Sequence, residues 1–140
     1  MKRGFTLIEV MIALCMLMIC IVASLKMCLM CSQAMSYGEK LTRATMMAST
    51  MLQNLRDMPF TMEDLKPGWH SDQDNPHRNG GTDYSRFWTV TETASGKDVR
   101  MFVAWADKGR PAATNFSSQL EMESNNCPHI DLRELILKPE

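Results

Sequence analysis

The sequence predicts an α+β fold in which one long N-terminal helix packs against a small antiparallel sheet. Three observations predict it: an apolar run opens the chain, a segment with helical periodicity continues it without a break, and two strand-like segments separated by a turn come later. The chain has 140 residues, so that one small domain remains once a helix is committed to lipid.

The apolar run covers residues 5–31 and contains only two charged residues, Glu9 and Lys26. As a helix it would be about 40 Å long, which is enough to cross a bilayer. Because Lys2 and Arg3 precede it, positive charge keeps the first residues in the cytoplasm and sends the rest outward. We therefore expect a single-pass membrane protein whose C-terminal domain is extracytoplasmic.

A cleaved secretory signal peptide is the alternative interpretation of this run. Glu9 argues against it, since a carboxylate in an apolar segment costs free energy on insertion and serves no purpose in a discarded leader. The best cleavage site of that kind, within residues 22–24, would also leave Lys26 and two cysteines at the new start. A retained helix fits the sequence better.

The motif Lys2-Arg3-Gly4, followed by FTLIEVMIAL over residues 5–14, resembles the N-terminus of type IV prepilins and pseudopilins. In that family, prepilin peptidase cuts on the cytoplasmic side after the glycine and methylates the new N-terminal residue. The resemblance implies that residues 1–4 are the leader, that cleavage falls between Gly4 and Phe5, and that Phe5 is methylated. The apolar helix then serves as a lipid anchor and later as the core of a filament.

The same resemblance gives a physical reason for the presence of Glu9 in the apolar run. Inside a bundle of such helices, an α-amino group and a carboxylate are each costly alone, but a pair offsets much of the desolvation. The resemblance implies that Glu9 of one subunit pairs with the Phe5 amine of a neighbour and sets the assembly register. It also implies contacts with an inner-membrane assembly platform and with other pilins or pseudopilins.

Residues 32–58 are predicted to continue the helix as an amphipathic segment, with apolar residues at three- and four-residue steps. These positions are Ala34, Tyr37, Leu41, Ala44, Ala48, Met51, Leu52, Leu55 and Met58. Pro59 ends the helix because proline disfavours a helical residue before it and donates no backbone hydrogen bond. Many pilins carry a helix-bending proline where Lys26 stands here, so a bend is left open.

Residues 59–83 are rich in proline, glycine, asparagine and aspartate, and we expect a long connecting loop. Asp72 and Asp74 are weak candidates for calcium ligands, since some pseudopilins have calcium loops. The pattern fails as an EF-hand-type loop, because Pro76 and His77 occupy places where a ligand and a glycine are required. A solvated loop is the favoured interpretation, and no metal or cofactor is expected.

Residues 84–140 are expected to form a small antiparallel β domain. The segment 84–93, a turn at 94–97 and the segment 99–105 indicate a hairpin, and the segment 130–137 is read as a strand in preference to a short helix. Residues 118–123 alternate only weakly. The face predicted to pack on the helix consists of Trp88, Val90, Val99, Met101, Val103 and Trp105.

The segments 84–90 and 99–109 also resemble minor pilins of the pilus modification type (PilV-like) and the small minor pseudopilin of type II secretion. The resemblance implies a minor pilin, assembled into or priming a type IV pilus. A type II secretion pseudopilin, or a membrane-anchored binding or sensor protein, remains the alternative.

The sequence gives little support to other functional classes, such as nucleic-acid-binding proteins and enzymes. The net charge of −1 and the pI near 6.3 give no general attraction to nucleic acid. No nucleophile elbow, phosphate loop, dinucleotide fingerprint or zinc-protease motif occurs, so we expect no enzyme. Four of the five cysteines lie in the apolar run, where thiols behave as small hydrophobes, and Cys127 has no evident partner.

Overall fold

The N-terminal half of the chain forms one helix. A computed structural model describes residues 6–107, 116–125 and 127–138, and helix α1 spans Leu7–Asp57 without interruption, including at Lys26. The chain divides into two compact units, residues 1–39 and 40–140. In the first unit, every described residue up to Tyr37 is exposed. The predicted continuous helix is confirmed, and it ends one residue before the predicted Met58.

In the second unit, α1 packs on the sheet through one apolar face. Its buried residues are Ala44, Ala48, Leu52 and Leu55. The small alanine side chains allow the helix backbone to lie close to the sheet. Ion pairs add to this packing: Lys40 Nζ lies 3.2 Å from Asp107 Oδ1, and Arg56 pairs with Glu134.

The predicted amphipathic face is longer than the face that the single chain buries. Ala34 is exposed, and Tyr37 and Leu41 are 49% and 37% exposed. The core cluster takes its helix residues from Ala44 onward, whereas the contact of Arg43 with Asn79 of the sheet is a polar one, a hydrogen bond of 2.9 Å. The apolar side chains before Ala44 therefore remain partly exposed in the single chain.

Five antiparallel strands form a single sheet. They are β1 (Gly68–Ser71), β2 (His77–Asn79), β3 (Thr82–Thr93), β4 (Gly96–Trp105) and β5 (His129–Leu137), and a short 3₁₀ turn (Glu63–Leu65) precedes them. The order is β1-β3-β4-β5, and β2 pairs with the other end of the same edge of β3. The long strands β3 and β4 form the centre of the sheet.

The predicted hairpin is confirmed. Strands β3 and β4 pair from Tyr84 with Trp105 to Thr93 with Gly96, so the turn narrows to Ala94 and Ser95. The six residues predicted for the helix-facing side all belong to the main core: Trp88, Val90, Val99, Met101, Val103 and Trp105. The prediction of these residues is correct because a strand has a two-residue period, which places alternate side chains on one face.

The final segment is a strand, as predicted. Strand β5 pairs antiparallel with β4 along its whole length, from Gly96 with Leu137 to Ala104 with His129. The two backbones approach closely at the hairpin end, where a Cβ atom on Gly96 would lie 2.2 Å from the carbonyl oxygen of Ile136. Only glycine fits at position 96 without moving β5.

The expected loop over residues 59–83 instead contains the 3₁₀ turn and strands β1 and β2. Strand β2 consists of His77, Arg78 and Asn79, which give no apolar alternation, so sequence periodicity could not reveal it. The turn into β3 uses Gly80 and Gly81, with φ angles of +59° and +78°. Positive φ at both central residues is the geometry of a tight hairpin turn.

The weakly alternating segment 118–123 is helical and not extended. Helix α2 spans Gln119–Ser124, and Ser118 caps it by accepting a hydrogen bond from the Glu121 backbone N–H at 3.3 Å. The Glu121 carboxylate in turn accepts from the Ser117 backbone N–H at 2.8 Å. A serine followed three residues later by glutamate is a capping signal, and it outweighs the weak alternation.

A second apolar cluster covers the opposite face of the sheet. It joins strand side chains to α2 and to Phe116, two residues before the Ser118 cap. The cluster consists of Phe87, Phe102, Phe116 and Met122, with Trp69 and Cys127 packed against it. The Trp69 indole N–H donates to the Phe116 carbonyl at 2.7 Å. Cys127 therefore lies in apolar packing as a free thiol.

Truncating the buried Leu55 should test the packing of α1 on the sheet. We expect Leu55→Ala to lower the free energy of unfolding by about 2–5 kcal/mol, because it removes a fully buried side chain and leaves a cavity. Urea unfolding of the detergent-solubilised chain, followed by tryptophan fluorescence, measures this change. The control is Met46→Ala on the same helix, whose side chain is 63% exposed; equal losses in both variants would contradict the packing.

Candidate processing and assembly site

Helix α1 begins immediately after the predicted cleavage site. The Thr6 carbonyl accepts hydrogen bonds from the backbone N–H groups of Glu9 at 3.0 Å and Val10 at 3.3 Å, which starts the helical ladder. Gly4 and Phe5, the residues predicted to flank the cleavage site, lie outside the described residues.

Glu9 lies in the first turn of α1 and is exposed. A carboxylate at this position interacts favourably with the positive end of the helix dipole, by about 0.3–1 kcal/mol at an exposed site. That local effect explains an acid near the helix start in water, but it is smaller than the cost of about 2.5–3.5 kcal/mol for an acid at the centre of a membrane. An additional partner outside this chain would offset that cost.

An exposed apolar surface surrounds Glu9 and continues along α1. Over the membrane-length part of the helix, none of the most apolar residues is buried by the rest of the chain. The large side chains that are at least half exposed here include Leu7, Ile8, Met11, Ile12, Leu14, Met16, Leu17, Met18, Ile19, Ile21, Val22, Leu25, Met27, Leu29 and Met30. By length and composition, this helix can cross a membrane.

Comparison with known protein families identifies the N-terminal segment. The family model of the prokaryotic N-terminal methylation motif matches residues 1–25, and this motif is the type IV prepilin-like signal. The match indicates a type IV pilin-like or pseudopilin-like protein, whose N-terminal apolar helix fits a membrane anchor. The match includes Gly4, Phe5 and Glu9. Neither the curated proteins nor the solved structures contain a significant match to the chain.

Asp72, one of the two weak calcium candidates in the connection, has other partners. Asp72 forms an ion pair with Arg86, its Oδ2 lies 3.1 Å from His77 Nε2, and its Oδ1 accepts from the Asp74 backbone N–H at 3.1 Å. Among the described residues, no group of three or more His, Cys, Asp or Glu side chains could hold a metal ion. The Asp72 carboxylate thus serves to hold the polypeptide between β1 and β2.

Sequence reasoning missed Arg86 and Asn75 as parts of this cluster. Arg86 lies on β3, and its Nη2 is 2.7 Å from His77 Nε2. The Asn75 side-chain amide donates to the Arg86 carbonyl at 2.8 Å and accepts from the Arg86 backbone N–H at 2.8 Å. Between β1 and β2, the Asn75 amide thus makes the hydrogen bonds to β3 that a neighbouring strand would make. No local sequence pattern indicates this long-range role.

The environment of Asp72 changes its acidity. Partial burial raises the pKa of the carboxyl, but the Asp74 backbone N–H, His77 and Arg86 together bring that pKa below its ordinary value. The ionised carboxylate is thus favoured in the folded chain. Its contribution to stability is present above the unfolded pKa of about 3.9 and is lost as the pH falls through the lower folded pKa.

Replacing Asp72 by asparagine should reveal this dependence. We expect Asp72→Asn to lower the free energy of unfolding by about 1–3 kcal/mol at pH 7, because Arg86 and His77 lose a charged acceptor. The difference from the wild type should shrink as the pH falls below about 4, where the unfolded wild-type carboxyl takes up its proton, and should be lost once the pH passes the lower folded pKa. Urea unfolding at both pH values measures it, with the exposed Asp74→Asn as the control. A difference that does not change with pH would contradict the ionised pair.

Proposed function

We propose that this chain is a minor structural subunit of a type IV pilus, processed by prepilin peptidase and then assembled into the filament or used to prime it. The observation that carries the proposal is Glu9, an exposed carboxylate in the first turn of a helix that has no other charge before Lys26 and exposes large apolar side chains over that stretch. In a disposable leader or a simple anchor, this residue would contribute only its small interaction with the helix dipole. A helix that must join other helices in one register gains a specific pairing group.

The chemistry of assembly follows from two successive environments of α1. In the membrane, lipid covers the apolar surface, and Glu9 lies near the cytoplasmic interface, where water and headgroups reach it. In the filament, neighbouring helices replace lipid, and the Phe5 amine of another subunit supplies the opposite charge. Each unpaired charge is costly in an apolar bundle, so the correctly paired register is favoured.

The small domain then has a structural role in this proposal and no enzymatic one. Its two apolar clusters lie on opposite faces of one sheet, and both consist of packed core side chains. In the remaining polar cluster, the Asp72 carboxylate is held by contacts within the domain. Support for a subunit of a filament rather than a sensor comes from the processing motif over residues 1–25. A type II secretion pseudopilin would use the same N-terminal chemistry.

Blocking cleavage should retain the leader. We expect Gly4→Leu to leave residues 1–4 attached, because the peptidase requires a small residue at the cut, and to keep the protein in the inner membrane. Gel mobility and the amount in sheared filaments measure the two effects. The control is Gly38→Ala, a glycine on α1 with no atom within 4 Å of an added Cβ. Normal processing and incorporation of Gly4→Leu would contradict the proposal.

Removing the charge of Glu9 should separate processing from assembly. We expect Glu9→Gln to be inserted and cleaved normally, since loss of the charge makes the helix easier to place in lipid. Incorporation into filaments should fall, because a neighbour's amine would be left unpaired at a cost of about 3–5 kcal/mol. The ratio of subunit in sheared filaments to subunit in membranes measures the loss.

The matched control for Glu9→Gln is Glu39→Gln, which removes the next acid along α1, beyond the apolar run. It should leave the ratio nearly unchanged. Equal incorporation of Glu9→Gln and the wild type would show that Glu9 does not set assembly. Incorporation into a secretion pseudopilus, and not into pili, would favour the pseudopilin alternative.

A further inference from the structure

Lys26 is the only charged residue between Glu9 and Glu39. It lies on the exposed surface of α1, in the middle of the apolar stretch, and the helix continues through it without a break. A lysine inside the hydrocarbon of a membrane is costly, so its position constrains how the helix lies in lipid. The following inference rests on the proposed function, because it requires α1 to cross a bilayer.

The distance along the helix fixes the depth of Lys26. Thr6 and Lys26 are separated by twenty residues, or about 30 Å at the helical rise, and the hydrocarbon core is also about 30 Å thick. If α1 starts at the cytoplasmic boundary, as cleavage before Phe5 on that side requires, Lys26 lies at the opposite boundary. It therefore reaches the layer of lipid headgroups.

The direction of the Lys26 side chain defines the depth of its ammonium group more closely. In a helix, side chains point back toward the N-terminus and cover the preceding turn. Lys26 lines a shallow surface groove together with the apolar side chains of Met18, Ile19, Val22 and Ala23. Its aliphatic stem thus covers apolar surface, as long cationic side chains do at a membrane interface, and its ammonium group lies between the levels of Ala23 and Lys26.

We propose that Lys26 binds the phosphate groups of outer-leaflet lipids and thereby fixes the outer hydrocarbon boundary at residues 23–26. Phosphate supplies the negative charge and the hydrogen-bond acceptors that an ammonium group needs at this depth. The membrane-spanning part of α1 then ends before residues 27–31, although these residues are also apolar. The expected span of residues 5–31 is shortened accordingly.

The native cysteines of α1 report this boundary. The chain has two pairs on the exposed helix surface, one on each side of the proposed boundary: Cys15 and Cys20 in the hydrocarbon, and Cys28 and Cys31 in the headgroup layer. A thiol reacts with a maleimide through its thiolate, which does not form in hydrocarbon. A charged maleimide should therefore modify only the second pair.

The experiment places the full chain in lipid nanodiscs made of phosphatidylethanolamine and phosphatidylglycerol, where the reagent reaches both faces. Tandem mass spectrometry after proteolysis locates and quantifies each modified cysteine. We expect Cys28 and Cys31 to react at least about tenfold faster than Cys15 and Cys20. If both pairs react equally fast, α1 does not lie in the bilayer, and the membrane anchor fails together with the inference.

Substitutions of Lys26 test its role separately from the anchor. In Lys26→Leu, the boundary should move outward, and the reaction of Cys28 should slow by about tenfold toward that of Cys20. Lys26→Arg should behave as the wild type, because it keeps the charge. Slow reaction of Cys28 and Cys31 in the wild type, or an unchanged Cys28 in Lys26→Leu, would overturn the inference while leaving the membrane anchor intact.

A change of lipid tests phosphate as the ligand. In nanodiscs of digalactosyldiacylglycerol, which has no phosphate, Cys28 should react with the maleimide at nearly the same rate in the wild type and in Lys26→Leu. If the two rates differ as much in this lipid as in the phospholipids, the ammonium group binds something other than phosphate, and the inference is wrong about the ligand.

Discussion

The apolar surface of α1 is the constraint on which the rest of the molecule depends. From Leu7 to Met30, this helix exposes large aliphatic and thioether side chains that none of the other described residues covers. Water tolerates such a surface poorly, so it must be buried in lipid or against other helices. Methionine suits both environments, because its flexible thioether adapts to either neighbour. The methylation motif over residues 1–25 covers most of this surface.

In the proposed assembly, the two charges within this surface have different tasks. Glu9, near the cytoplasmic boundary, specifies which neighbour the helix meets, whereas Lys26, near the opposite boundary, specifies how deep the helix lies before it leaves the membrane. Between them, α1 is free of charge, which lets it exchange lipid for protein at little electrostatic cost. Beyond them, the same helix provides Ala44 to Leu55 as one side of the core of the small domain. One continuous element thus links membrane, filament and domain.

Those parts of the fold that obey a local period could be predicted from the sequence. The amphipathic second half of α1 and the β3–β4 hairpin show their periodicity over many residues, and Trp88 and Trp105 fall on the predicted core face. The first half of α1 follows from its continuous apolar run. The pattern of β5 fits a strand or a short helix, and the strand is favoured because a two-stranded sheet is marginal alone. Strand β2 could not be predicted, because its three polar residues are held by pairing with β3 and not by a pattern of their own. The same holds for Asn75, whose amide completes the edge of β3. For the candidate site, Glu9 was predictable because a single acid in an apolar run needs a reason, whereas the partner proposed for it belongs to another molecule.

The intact mass of the chain isolated from cells tests the central claim most directly, namely that the apolar helix is retained after a cut on its cytoplasmic side. The account predicts a protein that lacks residues 1–4, begins at Phe5 and carries one additional methyl group, with fragmentation placing that group on the N-terminal amine. A mass for the full-length chain, or for a chain that begins after residue 24, would contradict it.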